Sequence, residues 1–172
     1  MEFCAGKTLT AMMKGKAPVG TILRGMHDLA LKVREIHQAG FAHNDLKPDN
    51  VILETSTDGA VRARMIDFGL CTRLGVSPGF EGKPEGHRHV APELLRRGVA
   101  TVESDTFSLG ILLRLVLGTY ASSFPEKDFE LLHLAEAMIC PDPHWRPRFQ
   151  MCLEVLADNR DAPRRESGEE GL

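Results

Sequence analysis

The sequence lacks several features that would place it in a specialised class of protein. Its four cysteines (Cys4, Cys71, Cys140, Cys152) form no C-x-x-C pair, which is typical of reduced thiols and not of a disulfide framework. Its net charge is −3 at pH 7, and Lys and Arg are scattered, so no basic stripe suits nucleic acid. We therefore expect no nucleic-acid partner and a cytoplasmic or nuclear location.

The sequence also has no long apolar run. Its most apolar stretch, residues 107–117, contains Arg114 and is shorter than the roughly 20 residues that a membrane span needs. The first seven residues show no basic segment followed by an apolar one, so no secretory signal is visible. With 42% hydrophobic and 26% charged residues over 172 positions, the composition predicts one globular domain without a membrane partner.

Helical periodicity is clearest after residue 20. Gly40 follows a series of apolar residues at steps of three and four, which predicts an amphipathic helix that ends at this glycine. The apolar residues are Ile22, Met26, Leu29, Val33 and Ile36. The first twenty residues have little pattern and are interpreted as a connector with at most one helical turn. Further helices are predicted over residues 104–117, 129–139 and 147–156.

Two short apolar segments, residues 51–53 and 61–66, flank a turn around Asp58-Gly59 and predict a small β-hairpin. Residues 69–90 contain five glycines and two prolines, which indicates a long functional loop. We expect the domain to occupy residues 1–157 and residues 158–172 to form a disordered tail, because that tail has almost no large apolar side chain.

Five motifs occur in a fixed order along the chain. They are H-N-D-L-K-P-D-N (43–50), D-F-G (67–69), A-P-E (91–93), S-D-T-F-S-L-G (104–110) and D-P-H-W-R-P (142–147). Each motif alone is weak, but together they resemble the C-terminal lobe, with the hinge, of a eukaryotic-type protein kinase. The resemblance implies a mainly α (α+β) fold, a helical bundle with a small β-hairpin.

The resemblance also assigns chemical roles. Asp45 matches the catalytic-loop aspartate that orients the substrate hydroxyl, and Lys47 matches the lysine that contacts the transferred phosphate in serine/threonine-type kinases. Asn50 and Asp67 match the ligands of Mg²⁺, a hard cation that prefers oxygen donors. The implied reaction is transfer of phosphate from ATP to serine or threonine of a protein substrate.

Other positions match the nucleotide pocket and the scaffold. Residues 1–4 resemble the hinge, where the backbone of Glu2 and Cys4 would bind adenine, and Ile52 matches the apolar residue beneath the ring. Glu93 and Arg146 match a structural ion pair of the family, and Asp105 matches the residue that caps the catalytic-loop backbone; these three residues are expected to support the site without joining the chemistry.

The motifs of the family's N-terminal lobe are not found in the 172 residues: there is no G-x-G-x-x-G and no V-A-I-K. We therefore expect this chain alone to hold nucleotide poorly and to transfer phosphate only when completed by an N-terminal lobe. We also expect an N-terminal lobe or a protein partner to cover an exposed apolar face.

Two departures from the family's sequence pattern concern the regulation of the activation segment. Asn44 stands where the family often has an arginine that receives an activation-loop phosphate, and residues 86–90 (G-H-R-H-V) stand where a threonine-bearing loop is expected. Between Asp67 and Ala91 only Thr72 and Ser77 carry hydroxyl groups. The sequence therefore predicts an activation segment that phosphorylation does not gate.

Two alternatives remain open. A truncated or degenerate pseudokinase would keep the fold and act as a protein-interaction module. A small-molecule kinase would also use an H-x-D-type loop, but A-P-E and the helix that carries Asp105 argue against it.

Overall fold

The computed structural model describes residues 6–80, 86–124 and 129–161 of the chain. Six α-helices and five short strands occur in this part: α1 (Leu9–Lys14), α2 (Val19–Gln38), α3 (Pro92–Leu95), α4 (Val102–Thr119), α5 (Phe129–Met138), α6 (Phe149–Asn159), β1 (Lys7–Thr8), β2 (Phe41–Ala42), β3 (Val51–Thr55), β4 (Val61–Met65) and β5 (Thr72–Arg73). The predicted mainly helical fold with a small β-hairpin is confirmed.

Helix α2 leads the chain to the first motif. Its buried positions include Ile22, Met26 and Leu29, as the period predicts. Gly40 follows its end with φ of +85°, the left-handed conformation that glycine adopts without steric cost. Strand β2 comes directly after it and pairs with β5, so the chain arrives at residue 43 in a fixed direction.

The predicted hairpin is formed by β3 and β4. Val51 lies opposite Met65 and Thr55 opposite Val61, and β1 adds a third antiparallel strand on the other side of β3. Gly25 lets α2 approach β3 closely, because a Cβ at this position would lie 2.7 Å from the Leu53 side chain. The hairpin is therefore packed directly on the helix that precedes the first motif.

Helix α4 is the centre of the bundle. A capping box between Thr101 and Ser104 begins it, since each side chain accepts a hydrogen bond from the other residue's backbone N–H. Even its polar residues Asp105 and Ser108 are buried, as expected for a helix surrounded by other elements. At Gly110 a Cβ would lie 2.6 Å from Met138 on α5, so the small residue permits the close helix contact.

The structure corrects several sequence boundaries. Residues 6–20 are more ordered than the predicted connector, because α1 buries Leu9 and Met13 in the main core. The last helix begins at Phe149 and ends at Asn159, whereas the sequence predicted a helix over residues 147–156. Residues 162–172 of the predicted tail lie outside the described residues. No helix in the described ranges has the length and apolarity to cross a bilayer.

Candidate active site

The catalytic-loop motif is anchored by one buried carboxylate from α4. Asp105 accepts hydrogen bonds from the backbone N–H groups of His43 and Asn44, at 2.8 Å each. Its Oδ2 also lies 2.9 Å from Nε2 of His37 on α2. This geometry confirms the capping role predicted for Asp105, and it ties the motif to both long helices.

Asp45, Lys47 and Asn50 form one cluster. Oδ2 of Asp45 accepts hydrogen bonds from Lys47 Nζ and from Asn50 Nδ2, both at 2.8 Å. Asn50 Nδ2 also donates to the Asp45 carbonyl oxygen at 3.0 Å. Asp45 is only 7% exposed. Its carboxylate is therefore buried and held by charge-assisted hydrogen bonds from side chains of its own loop.

The protonation state of Asp45 follows from its surroundings. Burial raises the pKa, but hydrogen bonds from Lys47 and His89 outweigh it and leave the pKa of Asp45 below its ordinary value of 3.8. The group is therefore an ionised carboxylate at neutral pH. An ionised carboxylate only accepts hydrogen bonds, which suits it to orient a hydroxyl group.

The hairpin brings Asp67 beside Asn50. Ile66 N–H donates to the Asn50 carbonyl oxygen at 3.0 Å, and Asp67 follows with φ of +62°. Aspartate and asparagine tolerate this left-handed conformation better than most residues. The Asp67 side chain is exposed, and its Oδ1 accepts one backbone hydrogen bond from Gly69 at 3.3 Å.

The oxygen donors of Asn50 and Asp67 fit a magnesium ion. Since the Asn50 amide nitrogen is turned toward Asp45, its Oδ1 is directed away from that carboxylate. Asp67 is an exposed residue, and its carboxylate has a second oxygen besides the one that accepts from Gly69. Among the described residues no cluster of three His, Cys, Asp or Glu could hold a metal ion. An amide oxygen and a carboxylate oxygen are donors that suit Mg²⁺, which uses few protein ligands.

Asn44 is turned inward. Its side chain is fully buried, and Nδ2 donates to the carbonyl oxygens of Leu70 at 2.9 Å and Ala42 at 3.3 Å. Its Oδ1 accepts from Ser104 Oγ at 3.4 Å. The amide thus connects the catalytic loop with the residue that follows D-F-G, and it presents no group to an external phosphate.

His43 and the D-F-G phenylalanine pack together. The His43 ring is buried, and its centroid lies 5.0 Å from that of Phe68. Burial lowers the pKa of His43, so the ring is neutral at pH 7. Phe68 itself is 51% exposed, beside a shallow groove of about 490 Å³ whose apolar walls include Ile36 and Met65.

The scaffold ion pair is present. The Arg146 guanidinium makes a bidentate pair with Glu93, with nitrogen–oxygen distances of 2.6 and 2.8 Å. It also donates to the carbonyl oxygens of Cys140, Glu103 and Pro141 and lies over the Phe107 ring. These contacts satisfy the hydrogen-bond donors of a fully buried guanidinium. They also hold the A-P-E segment against the residues that precede α6.

The nucleotide-pocket residues are placed in part. Ile52 lies in β3 between the buried Val51 and Leu53, so its half-buried side chain is on the sheet face away from the core. Glu2 and Cys4, predicted to bind adenine through their backbone, lie outside the described residues.

One contact in the site was missed by the sequence analysis. Nε2 of His89 lies 2.7 Å from Oδ1 of Asp45, across 44 positions of sequence. The sequence placed residues 86–90 where a threonine-bearing loop of the family is expected. It did not show which of the two histidines of G-H-R-H-V reaches the carboxylate.

Comparison with known proteins assigns the chain to a family. The profile described as "Protein kinase domain" matches residues 1–128. The chain belongs to this family.

Its relatives include serine/threonine kinases from distant organisms. The chain is 29% identical to the serine/threonine-protein kinase/endoribonuclease IRE1 of Oryza sativa subsp. japonica, with 84% of the chain and 20% of the relative covered. It is 30% identical to the serine/threonine-protein kinase PknG of Mycolicibacterium smegmatis (90% and 21%). It is 28% identical to the calcium and calcium/calmodulin-dependent serine/threonine-protein kinase DMI-3 of Medicago truncatula (92% and 34%). The chain thus spans about a fifth to a third of these relatives.

Proposed function

We propose that this chain carries the catalytic half of a protein serine/threonine kinase, which transfers phosphate from ATP to a hydroxyl group of a protein substrate when an N-terminal lobe completes it. The observation that supports this proposal is the Asp45 cluster, in which an ionised, buried carboxylate is held by Lys47 and Asn50 at 2.8 Å. A domain that only binds partners would gain little stability from a buried carboxylate shared by these two donors.

Each residue of the cluster then has a defined role. Asp45 accepts the hydrogen bond of the substrate hydroxyl and aims its oxygen in line with the phosphate. Lys47 places a positive charge beside the transferred group. Asn50 and Asp67 supply oxygen ligands for Mg²⁺, which neutralises phosphate charge when bound. Because the pKa of Asp45 is low, this residue orients the hydroxyl more than it removes a proton early.

The adenine of ATP is proposed to contact the backbone of Glu2 and Cys4 and the side chain of Ile52. Its phosphates would then extend toward Lys47 and Asp67. We also propose that an N-terminal lobe or a protein partner covers Phe68 and the adjoining groove, because half of this large apolar side chain is exposed there.

The activation segment is proposed to be independent of phosphorylation. Asn44 is buried and already bonded to Leu70, Ala42 and Ser104, so it cannot pair with a phosphate on the segment. The link that a phosphate would create between the two loops is supplied by the neutral hydrogen bond to Leu70.

The decisive experiment uses the protein isolated from cells that express its complete native transcript. It is incubated with labelled ATP, Mg²⁺ and a mixture of serine-, threonine- and tyrosine-containing peptides, beside a matched Asp45→Asn variant. Label on serine or threonine that depends on Asp45 supports the proposal. Absence of label from both proteins, with the fold intact by circular dichroism, contradicts it and favours the pseudokinase alternative.

A further inference from the structure

The Asp45 carboxylate has a third donor, which comes from a distant segment. A carboxylate offers about four lone-pair positions on its two oxygens. Lys47 and Asn50 occupy Oδ2. Among the described residues, the one side-chain donor on Oδ1 is His89 at 2.7 Å. One position on Oδ1, beside the imidazole, is therefore left for a substrate hydroxyl.

His89 is held firmly by the fold. Its carbonyl oxygen accepts a hydrogen bond from Ser108 Oγ, at 2.6 Å, from the central helix α4. The next residue, Val90, is 2% exposed and packs in a small core with Phe80 and Phe107. The backbone on the C-terminal side of the imidazole is thus held by two contacts, and the His89 side chain is 15% exposed.

The direction of the hydrogen bond follows from the acceptor. An ionised carboxylate has no proton to donate, so Nε2 of His89 carries the hydrogen, whether the ring is neutral or charged. A neutral histidine in this contact must therefore be the Nε2–H tautomer. This requirement makes the contact measurable without any assay of phosphate transfer.

We infer that His89 is a positioning residue, which holds Oδ1 of Asp45 through its Nε2–H donor and so fixes the oxygen that receives the substrate hydroxyl. The inference deepens the proposed function and rests on it. Since the rate of a positioned reaction is sensitive to displacements of about 1 Å, loss of the donor should slow turnover and leave nucleotide binding unaffected.

The first test is made on the protein itself by NMR. Two-bond ¹H–¹⁵N correlations report the tautomer of each histidine, and the His89 signal is assigned by its loss in His89→Gln. We expect His89 as the Nε2–H tautomer in the wild type and a mixture of tautomers in Asp45→Ala, with the exposed His144 unchanged. A Nδ1–H tautomer in the wild type, or a His89 signal that ignores Asp45→Ala, would overturn the inference.

The second test separates the donor from the shape of the ring. His89→Phe keeps a ring and loses the donor, whereas His89→Gln loses the ring and keeps an N–H donor. In the phosphotransfer assay we expect kcat about tenfold lower for His89→Phe, with KM for ATP unchanged, and within about threefold of wild type for His89→Gln. Equal losses in both variants, or a larger loss in His89→Gln, would overturn it.

The two tests keep the inference distinct from the proposed function. If the wild type transfers no phosphate, the proposed function fails, and the tautomer result alone decides whether His89 holds Asp45. If the wild type is active and His89→Phe is equally active, the proposed function stands and the positioning role is refuted.

Discussion

Asp45 and Asp67, the two acidic side chains of the candidate site, lie in opposite environments. Asp45 is buried and accepts hydrogen bonds from Lys47, Asn50 and His89. Asp67 is exposed and accepts one backbone hydrogen bond at 3.3 Å. The difference shows that packing already fixes the Asp45 carboxylate, whereas the exposed Asp67 carboxylate keeps the capacity to accept further partners.

The strongest way to break this comparison is to remove the anchor of the buried side. Asp105→Ala leaves two buried backbone N–H groups, those of His43 and Asn44, without an acceptor. At about 1 to 3 kcal/mol for each unsatisfied group, we expect a loss of about 2 to 6 kcal/mol in the free energy of unfolding, measured by urea denaturation.

The matched control is Asp142→Ala. Asp142 likewise accepts a backbone hydrogen bond, from His144, but at an exposed turn. We expect a loss of about 1 kcal/mol or less. Equal losses in the two variants would show that the buried network does not anchor the catalytic loop.

The second prediction compares the two acids directly. Asp45→Asn keeps the shape of the side chain but weakens three charge-assisted hydrogen bonds, so we expect a loss of about 1 to 3 kcal/mol in the free energy of unfolding. Asp67→Asn should change this free energy by no more than about 0.5 kcal/mol, because the side chain is exposed. A larger loss from Asp67→Asn than from Asp45→Asn would reverse the comparison.

The third prediction concerns pH. Because the pKa of Asp45 is lowered by folding, its ionised form stabilises the protein above the unfolded pKa, and that stabilisation is lost as the pH falls through the folded pKa. The wild type should therefore exceed Asp45→Asn in stability at pH 7, and the gap should narrow below about pH 4. Urea titrations at several pH values measure the gap. A stability difference between the two proteins that stays constant down to acid pH would show that the ionised form of Asp45 does not stabilise the fold.

The smallest expected effect is at Ser77, which with Thr72 is one of two hydroxyl residues between Asp67 and Ala91. Since Asn44 already joins the two loops, Ser77→Ala should leave the rate of phosphate transfer within about twofold of wild type. Activation of about tenfold or more that follows phosphate on Ser77 and disappears in Ser77→Ala would refute a segment that is independent of phosphorylation.

Much of the scaffold was predictable because its signals are local. The helix period before Gly40, the alternation around Asp58-Gly59 and the ordered motifs predicted α2, the hairpin and the Glu93–Arg146 pair. Helix α1 was missed because a six-residue helix is not stable by propensity and depends on the burial of Leu9 and Met13.

The contacts of the site were less predictable, because they depend on side-chain directions across long sequence separations. Asn44 could be recognised as a departure from arginine, but not as a link to Leu70. His89 contacts Asp45 from a backbone that Ser108 and the burial of Val90 hold in place, and these contacts have no local signal in the sequence. The catalytic and ligand roles of Asp45, Lys47, Asn50 and Asp67 stay predictions from the motifs.

The most direct test of the central claim is the ratio of kcat for phosphate transfer between the wild type and Asp45→Asn, measured with Mg²⁺ and ATP on the protein from its complete native transcript. The proposed orienting role of Asp45 predicts a fall of about a hundredfold or more, because a displacement of a reacting group by about 1 Å can cost about this much in rate. Equal rates in the two proteins would contradict it, since the buried carboxylate would then take no part in the reaction.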